Sequence, residues 1–354
     1  MKDSHSKEDL DLELARARQI VQHMRADPDL IARMEKSDEV SQRDGQTAHG
    51  WVHALDVSQL TLQIADEVNR LVPGSFNEMD LLVAEASSLL HDSGRSVAVK
   101  GHEKHSAVIA HAYLLALAKR LFGDEAHCPK TFRIRVVQNA CKHRASFWLY
   151  KNDEEKRGRR RELTDRALSA FLLGDKLCGS ESRVADEKLR WLRRLAAVKL
   201  PSDWRSKHGL PADWSPARIN WNFDQLADSQ QEAQLIPEIR SLLQKQGLVV
   251  PDHVVLDQHT RINGAIKGRT ISLTPDSEPS AGPIVGTFCY HLQVDERVAQ
   301  RDLVLYMNWW TDAFHLAAKA AKHLGFRFQI DFNGHILHWD RAQRRWVCSR
   351  CFKA

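Results

Sequence analysis

Between Trp51 and Cys178 the apolar residues recur at spacings of three and four, and each stripe carries a polar residue that a hydrophobic interior does not accept unaided. The first stripe is Val57, Leu60, Ile64, Val68 and Leu71, and His53 sits four residues ahead of Val57 on the same face. The second, over about residues 79–91, carries Leu82, Ala86, Leu89 and Leu90 into His91. Asp92 lies ~100° further round a continuing helix. Gly94 ends the helix there, which frees both side chains to enter one cleft. Gly101-His102-Glu103-Lys104-His105-Ser106 opens a third helix that continues through Ile109, Tyr113 and Leu117. In a fourth, over about residues 131–145, Phe132, Val136, Ala140 and His143 share a face. In a fifth, Leu163–Cys178, so do Thr164, Leu168, Phe171 and Asp175. A carboxylate buried there without a partner is strongly destabilising, so Asp175 requires a cation or strong donors.

Five successive helices thus place His53, His91–Asp92, His102, His143 and Asp175 on, or at the end of, an inward face. Singly, a stripe histidine is most often a satisfied core residue and a helix aspartate a cap or a surface group. The combination argues otherwise, because every member falls on the interior side. Neutral imidazoles with carboxylates suit Fe, Mn, Zn or Co, and the oxygen-rich subset suits Mg. Six ligands are enough for one or two divalent ions. Asp92 is the natural bridge, because a carboxylate has two oxygens, and a metal pair lowers the pKa of a bound water and clamps a phosphoryl oxygen.

These runs also resemble a known family. His49-Gly50-Trp51-Val52-His53, Leu89-Leu90-His91-Asp92-Ser93-Gly94, Gly101-His102-Glu103 with Ser106, Lys142-His143 and Gly174-Asp175-Lys176-Leu177 are similar, in order and spacing, to the HD superfamily of metal-dependent phosphohydrolases. The resemblance covers roughly residues 46–180. The first and third runs are most similar to prokaryotic phosphatase- and phosphodiesterase-like members. It implies His53, His91, Asp92 and Asp175 as shared metal ligands, and His102 and His143 as the extra pair of two-metal members. His105 competes with His102, which is preferred because it stands four residues before Ser106-Ala107, as in relatives. Where many relatives have lysine after the His-Asp, this chain has Arg95, a phosphate clamp that stays charged. No Glu-Asp pair follows the motif, which disfavours a stringent-response nucleotide hydrolase. His49 is a candidate substrate contact or a helix-start residue. Lys142, Arg144 and Lys176 flank ligands and are candidate phosphate contacts, as is the basic run Lys156–Arg161.

The remaining sequence frames this helical unit. Residues 1–45 read as a charged helical extension, 46–200 as an all-helical HD-type domain, and 201–250 as an irregular connection ending in a helix near Ile236–Gln246. From Pro251 the pattern changes to strands at Val254–Leu256, Ile271–Leu273, Ile284–Val294, Leu303–Met307, Phe326–Phe332, His335–Trp339 and Arg345–Cys348, with a helix at Ala313–Leu324. The expected class is therefore mostly α, an all-helical domain followed by a C-terminal α+β domain over 251–354. Turns are expected at Asp276, Ala281-Gly282 and Asn333-Gly334. Cys348-Ser349-Arg350-Cys351 after His335 and His338 resembles a zinc knuckle in content, but alternate strand residues face opposite ways. Gly264–Thr270 lacks the spacing of a phosphate-binding loop, and His102-Glu103-Lys104-His105 is one residue short of a zinc-protease motif. Trp309, Trp310, Trp339 and Trp346 could stack on bases, although core and interface roles are favoured.

The net charge of +5 is compatible with anionic substrates and too weak to mark a nucleic-acid binder. Six cysteines with a single C-x-x-C and a polar opening Met1–His5 lead us to expect a cytoplasmic protein without a membrane span. The expected activity is metal-dependent hydrolysis of a phosphomonoester or phosphodiester of nucleotide type, with Asp92, Arg95 and Lys142 at the reacting centre. A two-iron oxygenase, a non-catalytic nucleotide sensor and a nuclease stay open as rivals. The C-terminal domain is expected to dimerise the chain, cover the cleft or read a partner.

Overall fold

The computed structural model describes residues 7–43, 47–149, 162–210, 212, 214–219, 230–251, 254, 256, 258–276, 284–295, 311–340 and 345–348. Helices α1 (Lys7–Met24) and α2 (Pro28–Arg43) lead the chain. The site-bearing helices follow: α3 (Trp51–Leu71), α4 (Glu78–Leu90), a 3-10 turn at Ser93–Ser96, α5 (His102–Phe122), α6 (Lys130–Lys142), α7 (Ala145–Leu149) and α8 (Arg166–Leu177). Then come α9 (Asp186–Ala196), α10 (Trp204–Lys207), α11 (Gln230–Lys245) and α12 (Gln258–Ala265). Strands β1 (Ile266–Pro275) and β2 (Gly286–Val294), helix α13 (Thr311–His323), and strands β3 (Phe326–Phe332), β4 (His335–Asp340) and β5 (Arg345–Cys348) complete it. The class is mostly α with a C-terminal α+β portion, as expected. No described helix is long and apolar enough to cross a membrane.

Three helices run in the same sense and are tied at both ends. At the amino ends, Arg135 on the second turn of α6 reaches Asp80 Oδ1 at 2.7 Å and both oxygens of Asp165 at 2.9 Å. Asp80 belongs to the capping box that starts α4 on Asn77, and Asp165 is the N-cap of α8. Carboxylates suit the positive ends of helices, and a bidentate guanidinium spaces the helices by geometry as well as by charge. At the carboxyl ends, the same three helices deliver His91, His143 and Asp175 to one place. Helix α3 crosses α8 closely because Gly174 has no side chain: a Cβ there would lie 2.1 Å from Thr61 Oγ1 and 3.0 Å from the Val57 carbonyl.

The sheet runs β1-β2-β3-β4-β5, antiparallel except for the β2–β3 pair, whose connection includes α13. Its inner face (Phe288, Tyr290, Leu292, Ile330, Phe332) joins the same hydrophobic cluster as Val57, Ile64, Phe171 and Leu172 of the helices. One core thus runs across position 250, and the division of the chain there is a proposal about folding units rather than a break in packing. Tyr290 donates its hydroxyl to the Leu177 carbonyl at 2.6 Å, and Arg269 bonds Gly179 O at 3.1 Å and Asp56 at 3.2 Å. The strands therefore clamp the end of α8 two residues beyond Asp175. On the opposite face a polar row crosses three strands, Ser272 Oγ to His291 Nε2 at 2.7 Å and His291 Nδ1 to Asp331 at 2.9 Å.

Several local expectations are corrected. Val254 and Leu256 are buried but not in a strand, and the segment after them is helix α12, whose Gly264 lies against Leu192 of α9. Helix α9 falls within the segment expected to be helical and buries Leu189, Leu192 and Leu195 on one face, whereas α12 is not anticipated, because it is short and carries few apolar residues. Helix α2 continues to Arg43, into the polar run Ser41–Thr47 whose composition favours a loop. Asn333 and Gly334 both take positive φ, +49° and +82°, as the two-residue hairpin requires. The run Lys156–Arg161, the Ala281-Gly282 turn, the strand at Leu303–Met307, Trp309, Trp310 and Cys351 lie outside the described residues, as do the side chains of His338, Trp339, Trp346 and Cys348.

Gly174→Ala is expected to destabilise the chain by about 1–3 kcal/mol through overpacking of α3 against α8. Urea unfolding reads this directly, and an unchanged midpoint would mean that the two helices are not held at this approach.

Candidate metal centre

The two histidines at helix ends owe their orientation to the helices themselves. His91 and His143 are the C-caps of α4 and α6, and each sends Nδ1 back three residues to a last-turn carbonyl, Ser88 O and Ala140 O, at 2.8 Å. A carbonyl only accepts, so Nδ1 must carry the proton and Nε2 presents its lone pair outward from the helix end. His102, the first residue of α5, repeats the pattern on Val99 O at 2.9 Å. One backbone device therefore sets three tautomers. The negative ends of α4, α6 and α8 all point into the space these rings face, which favours a cation there.

Six side chains meet in that space, all buried; Asp175, the most open, is 9% exposed. They divide into two triads, His53–His91–Asp175 and Asp92–His102–His143, with ligand atoms within 4.8 Å of one another in each. Asp92 faces both. Its Oδ2 lies 3.2 Å from His91 Nε2 and 3.8 Å from His53 Nε2, while its Oδ1 lies 3.1 Å from His102 Nε2 and 3.8 Å from His143 Nε2. Asp175 Oδ1 is 3.7 Å from His91 Nε2, and its Oδ2 takes a 2.6 Å bond from Lys176.

Two observations show that a divalent ion fits. First, both ring nitrogens of His53 and Nε2 of His91 are buried without a hydrogen-bond partner. Second, Nε2 of His102 and Nε2 of His143 face each other at 2.9 Å, although their Nδ1 atoms both donate to carbonyls. Two lone pairs at that distance repel unless a cation or a shared proton lies between them. The donor set of four imidazoles and two carboxylates is the one that suits Fe, Mn, Zn or Co.

The field in the cluster keeps His53, His143 and both carboxylates in their binding forms, and His91 is the exception. Burial holds the His53 imidazole well below the usual range, helped by Arg183 and His91. Burial does the same for His143, helped by His91. His91 is raised, because the Asp92 carboxylate outweighs the opposing effect of burial. Burial works to raise Asp92 and Asp175, but cations win: Arg95 and His91 hold Asp92 well below its ordinary value, and Lys176 and His91 lower Asp175.

Gly94 lets the His-Asp turn sit against the start of α5. A Cβ there would lie 2.2 Å from His102 O and 2.3 Å from Ser106 N, and Gly94 N instead donates to Ser106 Oγ at 2.9 Å. The 3-10 turn that follows Asp92 sets Arg95 directly over it, because residues i and i+3 eclipse in that helix. Arg95 Nε bonds Asp92 Oδ1 at 2.8 Å.

The other candidates fall elsewhere. His105 is exposed on α5, since three residues from His102 carry it about 60° round the axis and past the edge of the buried face. Arg144 is exposed and 3.4 Å from Glu103. Lys142 turns to Gln138 at 3.4 Å and lines a cavity of about 540 Å³ with Arg135, Asn139, Trp148 and Arg166, one turn along α6 from His143. His49 is buried rather than open to a substrate: Nδ1 bonds Thr47 O and Nε2 accepts from Arg183 at 2.8 Å. Its ring packs edge-on against His53, 5.5 Å between centroids, so it props a ligand. Arg183 itself, buried beside His49, is not marked by the sequence; it stands in a polar turn with no periodicity around it.

The fold and the centre define an all-helical domain with a buried histidine- and aspartate-rich cluster of a kind that could hold a divalent ion. Residues 50–172 match the family model of the HD domain, and this segment belongs to the HD superfamily. The general activity of that domain is metal-dependent hydrolysis, and five of the six ligand-type residues lie within the matched segment, with Asp175 just beyond it. No curated protein matches the chain.

Asp92→Ala or Asp175→Ala is expected to remove most of the bound metal, read by elemental analysis of protein purified without added ions; retention of the full complement in either variant would disprove the ligand set. A pH dependence follows from the imidazoles. Burial holds His49, His53 and His143 below the ~6.5 of a free imidazole, so below that pH the unfolded chain binds more protons than the folded one. His91 acts with the opposite sign and offsets one of the three. The metal-free protein should therefore lose stability between about pH 7 and about pH 5. A urea midpoint that stays flat or rises over that interval would contradict the neutral state of these rings.

Proposed function

We propose that the chain is a metal-dependent phosphohydrolase acting on a phosphomonoester or phosphodiester, with a nucleotide as the favoured substrate class. The observation that carries this reading is Asp92, whose two oxygens face two separate ligand triads across one cleft. A divalent ion held there supplies an acidified water and a Lewis acid for a phosphoryl oxygen. His53, His91 and Asp175 would hold one ion; His102 and His143 would hold another, with Asp92 shared.

The protein's own groups divide the remaining work. In hydrolysis a bond forms from water oxygen to phosphorus, the bond to the leaving oxygen breaks, and that oxygen takes up a proton. Asp92 and Asp175 are held ionised and serve as ligands and hydrogen-bond acceptors rather than acids. Arg95 stays charged and clamps a phosphoryl oxygen as negative charge develops. The hydrophobic contact of Phe171 with His91, 5.6 Å between centroids, closes one wall of the site. The mild positive charge of the chain agrees with an anionic substrate.

The test is anaerobic phosphate release by metal-loaded protein across nucleoside monophosphates, cyclic nucleotides and a model diester. We expect turnover that falls about a thousandfold in Asp92→Asn. Turnover that requires oxygen would replace this reading by a two-iron oxygenase, preference for single-stranded nucleic acid would make it a nuclease, and binding with no release from any member would leave a sensor.

A further inference from the structure

The two triads are not equivalent, and Arg95 is the reason. Each contains a carboxylate that also pairs with a cation. In the first, Lys176 bonds Oδ2 of Asp175, while the Oδ1 that lies 3.7 Å from His91 is left to the cleft. In the second, Arg95 bonds Oδ1 of Asp92, the same oxygen that lies 3.1 Å from His102 Nε2 and 3.8 Å from His143 Nε2. The lysine holds its aspartate from behind; the guanidinium occupies the ligand oxygen from the front. Asp92 meanwhile keeps Oδ2 for the first triad, 3.2 Å from His91.

We propose that Arg95 guards the second triad, and that a phosphate-bearing ligand opens it by drawing the guanidinium off Asp92. The first triad then loads alone, and the second ion enters with the phosphate. Three physical points support the coupling. A guanidinium in contact with a ligand oxygen repels an incoming dication in a buried, weakly screened site, so the second ion binds the closed form poorly. Arg95 is placed there by a single 3-10 turn, Ser93–Ser96, and its side chain is 11% exposed, at the edge of the cluster rather than deep within it. A phosphate offers the guanidinium two charged oxygens in exchange for Asp92 Oδ1, so the exchange keeps a charge-assisted pair. Linkage then runs both ways: phosphate strengthens the second ion's binding, and the second ion strengthens phosphate binding by the same factor.

This rests on the reading of the cluster as a metal centre for phosphorylated ligands, and its test reads binding, not turnover. Metal-free full-length protein is titrated calorimetrically with Mn²⁺, with and without inorganic phosphate, and bound ions are counted after desalting. The wild type should bind one ion tightly and a second at least about tenfold more weakly, with phosphate narrowing the gap. Arg95→Gln should take two ions of similar affinity without phosphate, and phosphate should no longer alter the second. Because the first ion is retained in that variant, its binding doubles as the check that the site is folded. Two equal ions in the phosphate-free wild type would overturn the proposal, as would a second-ion affinity in the wild type that phosphate leaves unchanged. If the variant loses the first ion as well, the phosphate response of the wild type decides alone. An absence of phosphoester turnover would count against the hydrolase and leave these binding outcomes intact.

Discussion

Two carboxylates and four imidazoles converge within a few ångströms in the interior of this chain, and α3, α4, α5, α6 and α8 are arranged around that convergence. The arrangement is costly by itself. Both ring nitrogens of His53 and Nε2 of His91 have no partner, and the Nε2 atoms of His102 and His143 face each other. Buried polar groups in that condition are tolerated where a ligand completes them, and cations held by the two triads would take the lone pair of one His53 nitrogen and those of Nε2 in His91, His102 and His143. The ends of α4, α6 and α8 add negative potential at the same spot, so secondary structure and side chains favour the same occupant.

The helices are held for this purpose by features that do not touch the centre. Arg135 fixes the amino ends of α4 and α8 against α6, so the carboxyl ends arrive together. Gly174 and Gly94 permit two close backbone approaches, α3 to α8 and the His-Asp turn to α5. Tyr290 and Arg269 reach from the sheet to the segment just after Asp175. The C-terminal strands therefore brace the centre through the end of α8, in addition to sharing its hydrophobic core.

Much of the centre is legible in the order of the residues. Three-four spacing puts His53, His91, His102, His143 and Asp175 on interior faces, and the fold brings all of them to Asp92. Spacing identifies a face, however, and says little about rotation at a helix end or about partners distant in sequence. His105, Arg144 and Lys142 neighbour ligands in sequence yet turn outward or aside, because one residue rotates a side chain by ~100°. His49 has the position of a substrate contact and is instead a buried prop, since its partner Arg183 lies in a turn that no periodicity marks. Helix α12, which follows the buried Val254 and Leu256, goes unmarked because a short segment rich in polar residues carries neither period clearly.

The chain's sequence by itself determined which residue types would be buried and on which helices, because periodicity of apolar residues is a local property of the backbone. Tertiary structure alone decided how those residues are shared out. That Asp92 turns one oxygen toward His53 and His91 and the other toward His102 and His143, and that Asp175 joins the first triad, depend on distances between helices. Those distances are set by Arg135, Gly94 and Gly174 acting across gaps of tens of residues, which no local pattern encodes.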